Sequence, residues 1–250
     1  MKNKFFNSSF SNIYSKPSKT AEVVSQILYG EKFKILNKNK NWIKIKTDFD
    51  NYVGFIKKAK FRENFEPTNK IFKLKSRIYK SVKSKLLKTN NFLYFGSGLE
   101  VKDQNSDYIE FEKNYWIKKK DIKKINHYEK NYNKIFKMFI NSKYLWGGKI
   151  SDGIDCSALI QIFFYYNRVF FPRDSGDQMK FCKEKSNTKF NKGDIIFWKG
   201  HVGVCINKSK FIHAYGPKKK VVMMDINFTL RLIYKTAKLK IKKTSNMNNC

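Results

Sequence analysis

Histidine is scarce in this sequence: three residues in 250, beside four cysteines with no Cys-x-x-Cys spacing. That ligand supply argues against a structural zinc site, and no metal or other cofactor is expected. No window approaches 18 consecutive apolar residues, so a membrane-spanning helix is excluded. The opening stretch MKNKFFNSSFSNIYSKPSKT lacks the apolar run of a signal peptide, so a cytoplasmic location with free thiols is expected. Arginine is also rare. Only five of the 53 basic residues are Arg, although the net charge is +33. Phosphate and base-edge recognition favour the planar Arg fork, so specific nucleic-acid binding is not expected. The Lys excess is spread along the chain and accompanies 25 Asn, the signature of an AT-rich coding bias. What is plentiful is aromatic: 23 Phe and 14 Tyr within a 41% apolar composition, enough to build a core.

The first half repeats itself. NIYSKPSKTAEVVSQILYGEKFKILNKNKNWIKIKTDFDNYVGFIKK, from Asn12, aligns with RIYKSVKSKLLKTNNFLYFGSGLEVKDQNSDYIEFEKNYWIKK, from Arg77, at an offset of 61 to 66 residues. Apolar residues alternate in short runs broken by Asn, Asp and Gly, the pattern of half-buried strands and tight turns. Each copy has the length of a small barrel, one over 10–62 and one over 68–122. The second half reads differently. Ile135, Phe136, Phe139 and Ile140 share a helical face, then a Gly-rich turn, YLWGGKISDGI, leads into a second helix. There Ala158, Leu159, Ile162, Phe163 and Tyr166 form the apolar stripe, and Asp155 stands at the N-cap position. Three strand-like runs follow, GDIIFWKG, HVGVCIN and KFIHAYG, and beyond Tyr234 a final strand and a frayed basic tail are expected over 237–250.

Cys156 opens the second helix. Most lone cysteines are small core residues, and Cys182, Cys205 and Cys250 are read that way, or as tail. A helix start, however, offers free N–H groups and a positive dipole end to a thiolate, and the Cys156 N–H could meet a developing oxyanion. Gly147, Gly148 and Gly153 would allow close approach of a substrate. His201 and His213 lie on adjacent strand-like runs joined by a turn near Asn207 to Ser209, within about a residue of cross-strand register. One can act as base and the other can hold its tautomer. His127, in the connector, reads as solvated.

YLWGGKISDGIDCSALIQ, PRDSGDQM, KGDIIFW, HVGVCIN and FIHAYG together resemble the NlpC/P60 family of papain-like cysteine peptidases over about residues 128–234, with CSAL where that family usually has CSGL. The repeated barrels resemble bacterial SH3-like (SH3b) domains. The resemblance implies an α+β fold, a papain-like domain over 126–236 preceded by two SH3-like β-barrels. It also implies hydrolysis of peptidoglycan stem peptides with Cys156 as nucleophile, His201 as base and His213 as orienter, and Tyr144 lining the site. LYGEK and NYVGF further resemble the dipeptidyl-peptidase VI type, which releases L-Ala-γ-D-Glu. By that likeness Glu31, Tyr52 and Asp174 would bind the substrate ammonium. Ser157 and Ser175 would hold the D-Glu α-carboxylate, with Asp155 bracing the pocket. A general wall endopeptidase and a non-catalytic SH3b wall-binding protein stand as rivals. Nothing in the sequence sets the diamino acid or an oligomeric state.

Overall fold

The structure, a computed structural model, describes residues 4–186 and 189–250. It divides into two compact units that meet in sequence at Glu129 and Lys130.

The N-terminal unit is built of strands, with one short 3-10 turn at Lys119–Asp121. β1 (Lys4–Phe6), β2 (Phe10–Tyr14), β3 (Val23–Leu28), β4 (Lys32–Asn39), β5 (Trp42–Thr47), β6 (Val53–Lys57) and β7 (Phe61–Arg62) form one sheet. Its order is β3-β2-β6-β5-β4-β1-β7. Alternation does the work here. Ile13, Ile43, Ile45 and Ile56 turn inward onto Phe6, Ile27 and Phe33, while their neighbours face out. The second copy gives β8 (Asn69–Ile71), β9 (Lys75–Val82), β10 (Lys85–Tyr94), β11 (Gly98–Leu99), β12 (Asp103–Gln104), β13 (Tyr108–Glu112), β14 (Tyr115–Lys118) and β15 (Ile122–Lys124). These strands make a five-stranded and a three-stranded sheet around Ile71, Ile78, Leu93, Ile109, Phe111 and Ile117.

The Leu28-Tyr29-Gly30 turn joins the two barrels. Tyr29 belongs to the core of the second barrel, packing edge-on against Phe65 and Phe111, and its hydroxyl donates to Glu112 at 2.9 Å. Gly30 is left-handed at φ +74°, and a Cβ there would lie 2.1 Å from the Gly98 carbonyl oxygen. Only glycine permits that approach. His127, expected to be solvated, is half-buried with its ring 5.9 Å from that of Phe72.

The C-terminal unit is α+β. α1 (Tyr132–Met138) leads through a hairpin of β16 (Lys149–Ile150) and β17 (Gly153–Ile154) to α2 (Cys156–Asn167) and α3 (Ser175–Phe181). An antiparallel sheet follows, in the order β21-β20-β19-β18-β22. Its strands are β18 (Asp194–Trp198), β19 (His201–Cys205), β20 (Lys210–Tyr215), β21 (Lys220–Asp225) and β22 (Lys243–Asn246), with α4 (Ile226–Ala237) before the last. α2 packs on β19 and β20, and α4 packs on β20 and β21. Rather than showing one apolar stripe, α2 is buried all round apart from Tyr165, so it is the central helix of the domain.

The C-terminal segment departs from expectation. Tyr234 lies inside α4, and residues 237–250 are not a frayed tail. β22 pairs with β18 through Asp194↔Asn246 to Phe197↔Lys243 and closes that edge of the sheet. Cys182, at the end of α3, is disulfide-bonded to Cys250. The expectation that all four thiols are free is therefore corrected: only Cys156 and Cys205 are. A persistent disulfide belongs to oxidising surroundings, so the cysteine argument for a reducing compartment no longer holds. No helix among the described residues is long and apolar enough to cross a membrane.

Candidate active site

The start of α2 is built around one carboxylate. Asp155 is extended at the N-cap, and its Oδ1 accepts from the Ala158 N–H at 2.8 Å. Its Oδ2 accepts from the Gly147 N–H at 2.9 Å, which pins the Gly-rich turn to the helix start. Arg173 then grips both oxygens, Nη1 to Oδ1 at 3.0 Å and Nη2 to Oδ2 at 2.6 Å, while only 2% exposed. A buried bidentate pair of this kind is rigid, and losing either partner would strand a charge. The guanidinium also donates to Ser157 Oγ at 2.9 Å and to the Gly148 carbonyl at 3.3 Å. From α3, Gln178 donates to the Ser157 carbonyl at 2.9 Å. The helix start is thus fixed from three directions.

Cys156 sits on this support, 4% exposed. Burial pushes its thiol up to about 12, and the Asp155 charge adds to that. The Val202 N–H, Arg173 and the Ser157 N–H pull the other way. Val202 follows His201 in the chain, so the helix tip and the first residues of β19 meet at the thiol.

His201 Nε2 and His213 Nδ1 are 2.8 Å apart. The register differs from expectation. Val204 faces Ile212 and Cys205 faces Phe211, which places His201 diagonal to His213, two residues along, rather than opposite it. Gly203 makes room for this. A Cβ there would lie 2.4 Å from the Phe211 ring and 2.8 Å from His213 Cβ. Burial lowers the His201 pKa to about 4, and burial followed by the neighbouring His201 lowers that of His213. His213 is fully buried and stacks on Tyr215 at 4.7 Å, while Trp198 lies 5.6 Å from the His201 ring. Burial thus favours the neutral form of both imidazoles.

Tyr144 lies close enough to feel the Cys156 and Asp155 charges, and burial followed by those charges raises its pKa. Its ring faces Gly216. Asp174 is exposed at the N-cap position of α3 without a side-chain capping bond, and Ser175 opens that helix half-buried. The expectation for Ser157 is corrected. Its hydroxyl proton goes to Asp155 Oδ1 at 3.1 Å and its oxygen accepts from Arg173, so no donor remains for a substrate carboxylate. Gly148 and Gly153 serve the β16–β17 hairpin itself: a Cβ on Gly148 would meet the Gly153 carbonyl at 2.3 Å.

Glu31 and Tyr52 belong to the N-terminal unit and are described there. Glu31 is buried, and its Oε2 accepts from the Leu28 N–H at 3.0 Å. The half-buried Tyr52 follows a turn in which its N–H donates to Thr47 Oγ1 at 2.8 Å. Lys32 accepts from the Asp48 N–H, so the two turns adjoin at one end of the first barrel.

Sequence reasoning missed Arg173, although it stands inside the quoted PRDS. A buried Arg in a chain that otherwise uses Lys was the available signal, since a bidentate grip on a carboxylate needs the guanidinium fork. Among the described residues no cluster of three or more His, Cys, Asp or Glu could hold a metal ion.

A helix tip carrying a thiol, laid against a sheet that carries a paired histidine, defines an α+β domain of papain-like type. Comparison with known proteins identifies two domains. The NlpC/P60 family model matches residues 141–239, and the bacterial dipeptidyl-peptidase SH3 domain matches residues 13–61. The chain carries an NlpC/P60 peptidase-family domain behind an SH3 domain of the dipeptidyl-peptidase kind. Dipeptidyl-peptidase 6 of Lysinibacillus sphaericus is 24% identical over 228 residues, 81% of this chain and 84% of that protein. Gamma-D-glutamyl-L-lysine dipeptidyl-peptidase of Bacillus cereus is 30% identical over 99 residues, 36% of this chain and 30% of that one. An NlpC/P60 family protein from Bacillus cereus shares the fold at a TM-score of 0.75 and 19% identity, over 90% of this chain and 94% of its own.

Proposed function

We propose that this protein is a cysteine peptidase that hydrolyses the γ-D-Glu–diamino acid bond of peptidoglycan stem peptides, releasing L-Ala-γ-D-Glu from fragments with a free N-terminus. The observation that carries it is the His201–His213 pair at 2.8 Å, with His201 on the strand whose Val202 N–H meets the helix-tip Cys156 thiol. Relatives named for the same dipeptidyl-peptidase activity support the choice of bond.

In this reading His201 takes the thiol proton on Nδ1 while its Nε2–H donates to His213 Nδ1. The thiolate forms as it attacks, because burial disfavours a resting ion pair. The Cys156 N–H and the Tyr144 hydroxyl then face the oxyanion. His201 returns its proton to the departing amine, and water hydrolyses the thioester with His201 again as base. Within the peptidase domain Asp174 binds the substrate ammonium, and Ser175 holds the D-Glu α-carboxylate. Specificity for the free amine follows from the ammonium–carboxylate pair, which an N-acetylated substrate cannot form.

Incubation with a free stem tripeptide and its N-acetylated form tests this. The dipeptide L-Ala-γ-D-Glu is expected from the free form only. Equal cleavage of both would leave a general endopeptidase, and no cleavage of either would remove the reading.

A further inference from the structure

α3 is seven residues long, too short to persist as a helix by itself, and Gln178 is its one buried residue. Its N-cap position, Asp174, makes no side-chain capping bond. The helix is therefore held from outside. Gln178 reaches inward, and its side-chain amide donates to the Ser157 and Pro172 carbonyls, each at 2.9 Å. Phe181, 42% exposed, sets its ring 5.5 Å from that of Phe170 and 5.9 Å from that of Phe171. At the far end Cys182 is buried and bonded to Cys250.

Cys250 belongs to a segment anchored on the sheet. β22 pairs with β18, the Met247 N–H donates to the Gly193 carbonyl at 2.8 Å, and Asn246 Nδ2 donates to Asp194 Oδ1 at 2.7 Å. Ser245 and Met247 are buried. To α3 itself this segment gives Lys243 Nζ on the Met179 carbonyl at 2.9 Å. Its other bonds on that side fall beyond the helix. The Lys183 N–H donates to the Asn249 carbonyl at 3.1 Å, the Lys185 N–H to the Thr244 carbonyl at 2.8 Å, and the Ser245 hydroxyl to the Lys183 carbonyl. The disulfide is thus the firm link between α3 and the sheet edge, and a lysine on one carbonyl is a weak one.

We propose that the Cys182–Cys250 bond is a positioning link for substrate binding, and that its reduction by a dithiol loosens α3 and weakens the hold on substrate. The consequence for substrate rests on the reading above, in which Asp174 and Ser175 at the start of α3 bind it. Cys182 is buried and Cys250 half-buried, so a thiolate of the dithiol attacks the Cys250 sulfur and Cys182 leaves as thiolate. The second thiol of the reagent then closes it into a cyclic disulfide and frees Cys250. Two electrons pass to the protein sulfurs, and each cysteine takes up one proton. The freed Cys250 Sγ lies 3.3 Å from the Asn246 carbonyl, so its thiol has an acceptor on its own segment and not on α3. With the link open, α3 keeps Gln178 but loses its fixed far end, and Asp174 and Ser175 lose their fixed place. Cys156 and the two histidines are held by Asp155, Arg173 and the sheet, so the chemical step is spared.

The test compares the full chain with Cys250→Ser, each with and without dithiothreitol, by amide hydrogen exchange and by stem-tripeptide kinetics. Opening the link should speed exchange about tenfold at the Gln178, Cys182, Lys183 and Lys185 amides, with those of β19 and β20 unchanged. KM should rise about fivefold while kcat stays within about twofold, a split that a merely stabilising crosslink would not produce. Cys250→Ser without reductant should match the reduced parent chain and ignore the reagent. A response to the reagent of equal size in both chains overturns the proposal, because it then arises elsewhere. Unchanged exchange overturns the link whatever the kinetics show. Faster exchange with an unmoved KM overturns the effect on substrate and leaves a plain crosslink. Hydrolysis absent in both redox states removes the peptidase reading instead, and exchange then decides the link by itself.

Discussion

Cys156 and Cys205 are both free, both buried and both pushed by burial to about 12. Their surroundings have nothing else in common. Cys205 ends β19 within a core cluster of Ile196, Trp198 and Phe211, opposite Phe211 on β20. Its charged neighbours are Asp194 and Lys185, which belong to the ion pair beneath β22. Cys156 meets two backbone N–H groups, a guanidinium and the strand that begins with His201. Titration position therefore does not tell the two thiols apart. What does is the set of groups around Cys156 that can receive a proton and a negative charge.

The largest contrast should come from truncating each thiol. Cys156→Ala should lower stem-peptide hydrolysis at least a thousandfold with the melting temperature nearly unchanged. Cys205→Ala should keep turnover within about twofold while costing roughly 1 kcal/mol through a small cavity. If the two variants lose activity alike, the distinction collapses.

The next effect separates the histidines. His201→Ala removes the proton acceptor and should lower kcat by about 10²–10⁴. His213→Gln keeps a polar partner for His201 Nε2 and should cost about tenfold. Equal and total loss would reverse or merge their roles.

Arg173→Lys tests the support beneath Cys156 alone. It keeps the charge but loses the fork, so at least one of the Asp155, Ser157 and Gly148 contacts must go. A stability loss of roughly 2–4 kcal/mol in urea unfolding is expected, with kcat falling more than KM changes. A neutral outcome would mean that the cluster does not position the helix start.

The smallest effect is on the pH dependence of stability. His201 is depressed to about 4 from an ordinary 6.5, so on acidification the unfolded chain takes up that proton first. Stability should fall as pH drops from about 6.5 towards 4. The thiols are raised from 9.0 to about 12, so above pH 9 the unfolded chain releases protons that the folded chain retains. Stability should fall there too, and Cys156→Ala and Cys205→Ala should each remove part of the alkaline loss. Unfolding free energies measured from pH 4 to 10 check this. A rise on either side of the plateau would contradict the burial of these groups.

Legibility in the sequence followed the range of the interaction. The barrels show because strand alternation and turn residues are local, and the helix start at Cys156 shows because a helix N-cap is local. α4 also carries local signals: Asp225 caps it, accepting from the Phe228 N–H at 3.0 Å, and Ile226, Leu230 and Ile233 face one way. The pairing of β22 with β18 and the Cys182–Cys250 bond span some fifty to seventy residues, and no local pattern announces them. The diagonal register of the histidines depends on Gly203 lying under Phe211. The Ser157 hydroxyl is tied up by Asp155 and by Arg173, 16 residues on in sequence, and no local pattern marks that pairing.

The Cys182–Cys250 bond makes a covalent ring, 68 residues in sequence separation, that contains β18 to β22 and therefore both histidines, while Cys156 stands outside it. A protease that nicks any loop within the ring leaves His201 and His213 tethered to the rest of the chain. A cut between α2 and Cys182 instead parts Cys156 from both histidines in covalent terms. The same asymmetry governs mechanical load. Tension applied through α2 and Cys250 is carried past the sheet by the sulfur link, so β22 cannot be unzipped from β18 by pulling the chain straight. The histidine half of the site is hooped, and the cysteine half is held by an ion pair.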